Sequence, residues 1–304
     1  MENAKPLVSV IIPVFNAQRY IKLALDSICT QSYRNLEIIV IDDGSTDQSK
    51  KIIENYNDER IRFFSRENLG LISTLNEGID RSTGDYIARM DADDVCLHDR
   101  LNRQIDFLRS NDQIGVAFTG IELLDETGNI MRSKVSKKAR SIEPVELLFG
   151  CPLCHPTAMF DMTKLNKNDI YYDADYHLAE DFELWTRLIS KTKIGLLNEV
   201  LFGYRIHSNS ITSQNGDKQR KVASQAIYRN LAPKSSKAVL SSLGVVYNNH
   251  LGNESLYKTT LSLLHVGSNL KSLNGSFSYR KYLSKSYYLL RNKIRSSKHS
   301  SLRS

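Results

Sequence analysis

Gly84-Asp85-Tyr86-Ile87-Ala88-Arg89-Met90-Asp91-Ala92-Asp93-Asp94 is a short strand signal that runs straight into three carboxylates within four residues. Like charges this close repel one another unless a cation sits among them. The cation best matched to carboxylate oxygens is a hard divalent one, Mg²⁺ or Mn²⁺, which leaves positions open to water and substrate phosphate. Open α/β sheets bind ligands outside the carboxyl ends of their strands, so a strand end suits such a group. The same residues also suit a solvated acidic turn capping a helix that starts near Asp99, and the flanking pattern has to decide.

Upstream, Leu7-Val8-Ser9-Val10-Ile11-Ile12-Pro13-Val14 is a near-continuous apolar, β-branched run of the kind a buried parallel strand needs. Ala17 to Thr30 has helical spacing, and Leu36-Glu37-Ile38-Ile39-Val40-Ile41 is a second buried strand that stops on Asp42-Asp43-Gly44-Ser45-Thr46-Asp47. Ser45 or Thr46 is placed to cap the helix that follows, through about Tyr56. Ile61 to Phe64 reads as strand, Leu69 to Ile79 as helix and Tyr86 to Met90 as the fourth strand. This alternation predicts a parallel sheet with helices on both faces. Neither the Rossmann glycine fingerprint nor a P-loop follows any strand, which argues against a nicotinamide cofactor and P-loop ATP chemistry.

Downstream, Leu97 to Leu108 reads as helix and Ile114 to Phe118 as strand. Short alternating segments from Ile121 to Val135 around Glu126-Thr127-Gly128-Asn129 predict an antiparallel hairpin, hence a mixed sheet. A short helix over Glu143 to Phe149, a strand over His155 to Phe160, a helix opening on Glu180-Asp181 and a strand from Gly195 to Arg205 complete the pattern.

Cys29, Cys96, Cys151 and Cys154 are too few for a disulfide scaffold and read as small buried hydrophobes. Cys151-Pro152-Leu153-Cys154-His155 matches a haem-attachment pattern, but the chain opens without an export signal, so haem is not expected. With no apolar run of membrane-spanning length, a cytoplasmic protein is expected. The net charge is +7, with an uneven distribution. Residues 220–304 hold 15 Lys and Arg against Glu254 alone, whereas residues 1–219 carry a net −7.

Taken in order, Val8–Ala17, Ile38–Asp47, Arg66–Gly78, Gly84–Asp94, Ala179–Leu188 and Tyr204–Thr212 resemble family 2 inverting glycosyltransferases of the GT-A fold. The resemblance covers roughly residues 6–213 and implies a Rossmann-like α/β domain with a mixed, mostly parallel sheet. The domain would span 1–216, its nucleotide-binding half about 6–118 and its acceptor half about 119–216, followed by a helical, basic region over 217–304.

On this resemblance Asp93 is a ligand to Mn²⁺ or Mg²⁺, and Asp91 sits against the ribose and beside the metal. Asp94 helps place the sugar or the metal. Asp43 meets the pyrimidine edge, with Asp42 partly structural, although plain helix capping also explains this pair. Pro13 and Phe15 line the base pocket, and Arg66 supports the nucleotide or the metal loop. Arg205 and His207 approach the diphosphate or the metal. A general base is drawn from Glu180-Asp181, with Asp181 first and Glu180 as the alternative. His155 lines the acceptor site or packs in the core.

The resemblance fades beyond Lys218. Leu240 to Leu270 reads as helical, a lid or an oligomer contact, while Tyr279, Tyr282, Leu283, Tyr287, Leu290 and Ile294 follow helical spacing among Arg and Lys. That suits an interfacial helix on anionic lipid or a solvated basic tail, and no nucleic-acid motif accompanies it. The resemblance points to an enzyme that adds one hexose, from UDP-glucose or UDP-galactose, to a polyprenyl-diphosphate-linked or oligosaccharide acceptor in O-antigen or capsule synthesis. It would lie on the inner face of the cell membrane. The processive members' Gln-x-x-Arg-Trp motif is absent. A sugar-phosphate nucleotidylyltransferase and a non-catalytic nucleotide-sugar-binding protein are the rival readings; the oligomeric state is not legible.

Overall fold

A computed structural model describes residues 5–207, 216–231, 237–248, 255–269 and 278–300. The end of the expected Tyr204–Thr212 match, residues 208–212, lies outside them, as do 249–254 and 270 of the expected 240–270 helix and the side chain of Ile294. The chain's contacts group into two compact units. One comprises Met1–Ser141, Leu153–Ala174 and Thr192–Ser210; the other comprises Ile142–Pro152, Asp175–Lys191 and Ile211–Ser304. Two internal segments thus group with the C-terminal helices, a division different from a single cut near residue 216.

The first unit is built on a ten-stranded mixed sheet. Its strands are β1 (Val8–Val14), β2 (Leu36–Asp43), β3 (Ile61–Arg66), β4 (Tyr86–Arg89), β5 (Val95–Cys96), β6 (Ile114–Leu124), β7 (Ile130–Lys134), β8 (Arg140–Ser141), β9 (Met159–Asp161) and β10 (Lys193–Arg205). The order is β3-β2-β1-β4-β9-β6-β10-β5, with β7 beside β6 and β8 beside β10. β3, β2, β1 and β4 run parallel, and β9 enters antiparallel between β4 and β6. Every residue of β1 and β2 is buried, which is why both strands are mostly apolar rather than alternating, with Ser9 and Glu37 the polar exceptions ahead of the acids that end β2. Helices Ile21–Cys29, Leu71–Arg81 and Arg100–Arg109 cover the sheet with faces such as Ile21, Ala24, Leu25 and Ile28.

Several expected boundaries move for local reasons. The first helix starts at Ile21 rather than Ala17, because Asn16 takes a left-handed φ of 51° and residues 17–20 form a turn. Neither Ser45 nor Thr46 caps the next helix, Ser49–Glu54; the Asp47 carboxylate accepts the Ser49 N–H instead. His155–Thr157 is a 3₁₀ turn and only Met159–Asp161 is strand, since Pro156 has no N–H for a ladder. β6 runs through to Leu124, so the expected strand and the first arm of the hairpin are one element, while β7 is exposed along its whole length. The connecting turn is held by the Asp125 carboxylate, which accepts the Thr127 and Asn129 N–H groups, with Gly128 at φ 95°.

The amino ends of β1 and β2 are tied by Glu37. Its carboxylate accepts the Ser9 hydroxyl at 2.5 Å, the Thr83 N–H at 2.6 Å and hydroxyl at 2.8 Å, and a guanidinium N–H of Arg62. Burial works against the charge, but these donors outweigh it and hold the carboxyl below its ordinary range. A depressed folded-state pKa stabilises the protein above about pH 4.3, the unfolded value, and that contribution fades as pH falls through the folded one. Glu37→Gln, which removes the charge and leaves its donors underused, is expected to cost about 2–4 kcal/mol in urea unfolding at pH 7 and to shrink the protein's acid sensitivity.

The second unit gathers the helix Glu180–Leu188, the short helix Pro144–Leu147 and four C-terminal helices, Gly216–Leu231, Lys237–Asn248, Leu256–Ser268 and Tyr279–Ser300. Among the described residues no helix is long and apolar enough to cross a membrane.

Candidate active site

Parallel pairing brings the carboxyl ends of β1, β2 and β4 to one edge: Val14 lies opposite Asp42, and Ile11 opposite Arg89. The three acids following β4 converge there, with one ligand oxygen each of Asp91, Asp93 and Asp94 within 4.8 Å of one another. Each is restrained differently. Asp91 is forked by Arg89, whose Nη1 donates to Oδ2 at 2.7 Å and whose Nη2 donates to Oδ1. Asp93 Oδ2 lies 2.7 Å from His207 Nε2. Asp94 is 1% exposed; its Oδ1 accepts the Arg205 N–H at 2.8 Å, while Oδ2 has no hydrogen-bond partner among the described residues. Burial, then the charges of Asp91 and Asp93, push the Asp94 carboxyl well above the usual carboxylate range. An orphaned buried oxygen beside two further carboxylates is a donor set that fits a hard divalent cation.

Arg205 is engaged with the backbone of the acidic loop and of the hairpin turn. Its Nε donates to the Asp93 carbonyl at 2.8 Å and its Nη1 to the carbonyls of Asp125 at 3.0 Å and Glu126 at 3.4 Å, so its guanidinium clamps the acidic loop to the hairpin turn. The clamp lies over the Tyr20 ring, 4.7 Å from its centroid, and His207 stacks on the same ring at 5.8 Å.

The neighbouring loop is knitted as tightly. Asp42 accepts the Ser45 N–H and the Ser65 hydroxyl. Asp43 accepts the Leu69 and Gly70 N–H groups at 2.9 Å each and a guanidinium N–H of Arg66. Arg66 also donates to Glu77, Thr74 and the Glu67 carbonyl. Gly44, at φ 77°, passes so close to Asn68 that a Cβ would stand 2.7 Å from its N–H nitrogen. Pro13 is buried within β1, whereas Phe15 just beyond it is 54% exposed.

In the second unit, Glu180 and Asp181 occupy the first turn of their helix, both half-buried, and Leu178 ahead of them holds a left-handed φ of 79°. The Asp181 carboxylate accepts the Phe182 N–H at 2.6 Å, and Phe182 packs on Tyr247 with ring centroids 5.0 Å apart. His155 belongs to the first unit, 2.7 Å from the Tyr172 hydroxyl, and burial followed by the charge of Arg89 holds it well below its ordinary pKa.

Sequence reasoning missed Arg89, Tyr20 and Asn16. An arginine in an otherwise apolar strand two residues ahead of an acid was the available signal for Arg89. Tyr20 and Asn16 carried none, because their roles depend on chain segments far away in sequence, Arg205–His207 and Ser45–Thr46.

An open sheet carrying acids at its carboxyl edge places the chain in the GT-A class, and the comparisons agree. The chain matches S. aureus TarS 1-349, solved in complex with UDP-GlcNAc, at a TM-score of 0.64 and 16% identity, covering 96% of this chain and 92% of that one. It also matches the mannosyltransferase PcManGT from Pyrobaculum calidifontis, solved with GDP-Man and Mn²⁺, at a TM-score of 0.58 and 16% identity, covering 96% and 87%. An uncharacterized glycosyltransferase of Haemophilus influenzae is 31% identical over 95% of this chain and 90% of its own length. Residues 9–167 match the model of glycosyl transferase family 2, and the chain belongs to that family. It is therefore a glycosyltransferase, not a nucleotidylyltransferase.

Because the Arg89 guanidinium is buried against Asp91, Arg89→Met should destabilise the fold by about 3–5 kcal/mol. Arg89→Met with Asp91→Asn should recover about 0.5–3 kcal/mol of that loss in a double-mutant cycle read by urea unfolding.

Proposed function

We propose that this enzyme moves one hexose from a UDP-sugar, UDP-glucose or UDP-galactose, to a hydroxyl of a lipid-diphosphate-linked or oligosaccharide acceptor, with inversion, at the inner membrane surface during O-antigen or capsule synthesis. The observation that carries the reading is the acidic cluster, with the Asp94 Oδ2 buried and lacking a hydrogen-bond donor among the described residues. Asp93 and Asp91 hold Mn²⁺ or Mg²⁺, with Asp94 beside them. When bound, the ion supplies positive charge to the diphosphate as it leaves. Structural neighbours solved with UDP-GlcNAc or with GDP-Man and Mn²⁺ support a nucleotide-sugar donor and a metal.

The chain's own groups do the rest. Asp43, held by Arg66 and two backbone N–H groups, keeps one lone pair for a pyrimidine N–H. Exposed Phe15 offers its ring to the base, while Pro13 and Asp42 shape the loop from within. Arg66 holds its loop, and Arg205 and His207, both hydrogen-bonded to Asp93, approach the diphosphate or the metal. Asp181, with Glu180 adjacent, accepts the proton of the acceptor hydroxyl as that oxygen attacks the anomeric carbon and the nucleoside diphosphate departs.

Asp93→Ala is expected to remove the Mn²⁺-dependent part of UDP-sugar binding, as titration calorimetry with and without the ion reads directly; equal affinities would refute the metal role. Asp181→Asn should retain UDP-sugar binding and lose about 10²–10⁴ in turnover. An active Asp181→Asn beside an inactive Glu180→Gln would transfer the base role to Glu180. A donor panel with a GlcNAc-diphosphate-lipid acceptor, the product anomer read by NMR, tests sugar, acceptor and inversion together.

A further inference from the structure

The C-terminal helices Leu256–Ser268 and Tyr279–Ser300 pack on each other: the Tyr282 hydroxyl donates to the Leu263 carbonyl at 2.5 Å, and its ring lies against Gly267. Tyr282 also packs on Phe149 with centroids 5.6 Å apart, and Lys281 pairs with Glu143 at 2.6 Å and Glu146 at 3.7 Å. Tyr282, Ser286 and Leu289 are thus committed to the unit's interior. This divides the helix differently from its sequence pattern, which set Tyr282 in the same face as Tyr279 and Leu283.

What stays outside is apolar in two stripes. Tyr257, Leu261 and Leu264 recur at helical spacing on the first helix, and Tyr279, Leu283 and Tyr287 on the second, all between 48% and 75% exposed. At about 100° per residue, the stripes are centred roughly 125° and roughly 100° round their helices from Leu263 and Tyr282, in the same rotational sense. In a helical hairpin those rotations bring both stripes to one side. Exposed Lys258, Arg280 and Arg291 flank them, and neither helix contains an acid.

Resting on the membrane part of the proposed function, we infer that these two helices form one lipid-docking face that seats the enzyme on an anionic bilayer. The apolar stripes enter the boundary between headgroups and acyl chains, and the flanking bases meet lipid phosphates. A second copy of the chain is a poorer occupant, because a two-fold contact would set these bases against their own copies.

The full chain should float with phosphatidylcholine vesicles containing phosphatidylglycerol and not with phosphatidylcholine alone. Leu261→Glu with Leu264→Glu, and separately Leu283→Glu with Tyr287→Glu, should each cut the bound fraction at least about tenfold, while calorimetric affinity for UDP and the melting temperature stay at wild-type values. Arg280→Gln with Arg291→Gln should lose about fivefold per charge, about 1 kcal/mol each. Flotation that is absent in wild type, or unchanged in either apolar pair, overturns the face. A concentration-dependent dimer in sedimentation that the same pairs abolish overturns it in favour of self-association. Vesicle binding without UDP affinity would sustain the face and reject the donor reading instead.

Discussion

Three carboxylates follow one strand within four residues, and their mutual repulsion is the constraint around which the first unit is built. The protein spreads that cost over several partners. Asp91 has the buried guanidinium of Arg89, Asp93 has the ring of His207, and Asp94 Oδ1 has the Arg205 N–H. Two of these partners come from the end of β10, far along the chain. The acidic loop therefore keeps its shape only when β10 has joined the sheet.

Two ends of the sheet answer to different demands. At the amino ends of β1 and β2 Glu37 is saturated with donors from Ser9, Thr83 and Arg62, and it serves the fold alone. At the carboxyl edge of β1, β2 and β4 the acids of the cluster are held in place, and Asp94 Oδ2 has no hydrogen-bond partner among the described residues. A set of oriented acceptors with spare capacity is what a site for a cation and a diphosphate requires. Asp43 occupies an intermediate position: most of its capacity goes to Leu69, Gly70 and Arg66, which hold it in place.

The second unit shows how helical periodicity misleads when it is read as a single face. Tyr282 repeats with Tyr279 and Leu283, yet it turns inward against Phe149 and Gly267. Lys281 likewise spends its charge on a partly exposed ion pair with Glu143. A wheel carries several apolar directions, and only packing partners distinguish the buried one from the exposed one.

The amino-acid sequence by itself determined the parallel β1–β4 core, because strands buried on both faces must be predominantly apolar, and it placed the acids at or just beyond the carboxyl ends of β2 and β4. Family membership followed from the same ordered segments. Only the tertiary structure decided what each polar group is spent on: that Arg205 clamps carbonyls, that Arg89 forks Asp91, that Pro13 is buried while Phe15 is not. The hydrogen bonds of Arg205 and His207 to Asp93 join residues more than a hundred positions apart and leave no periodic trace, so no local pattern carries them.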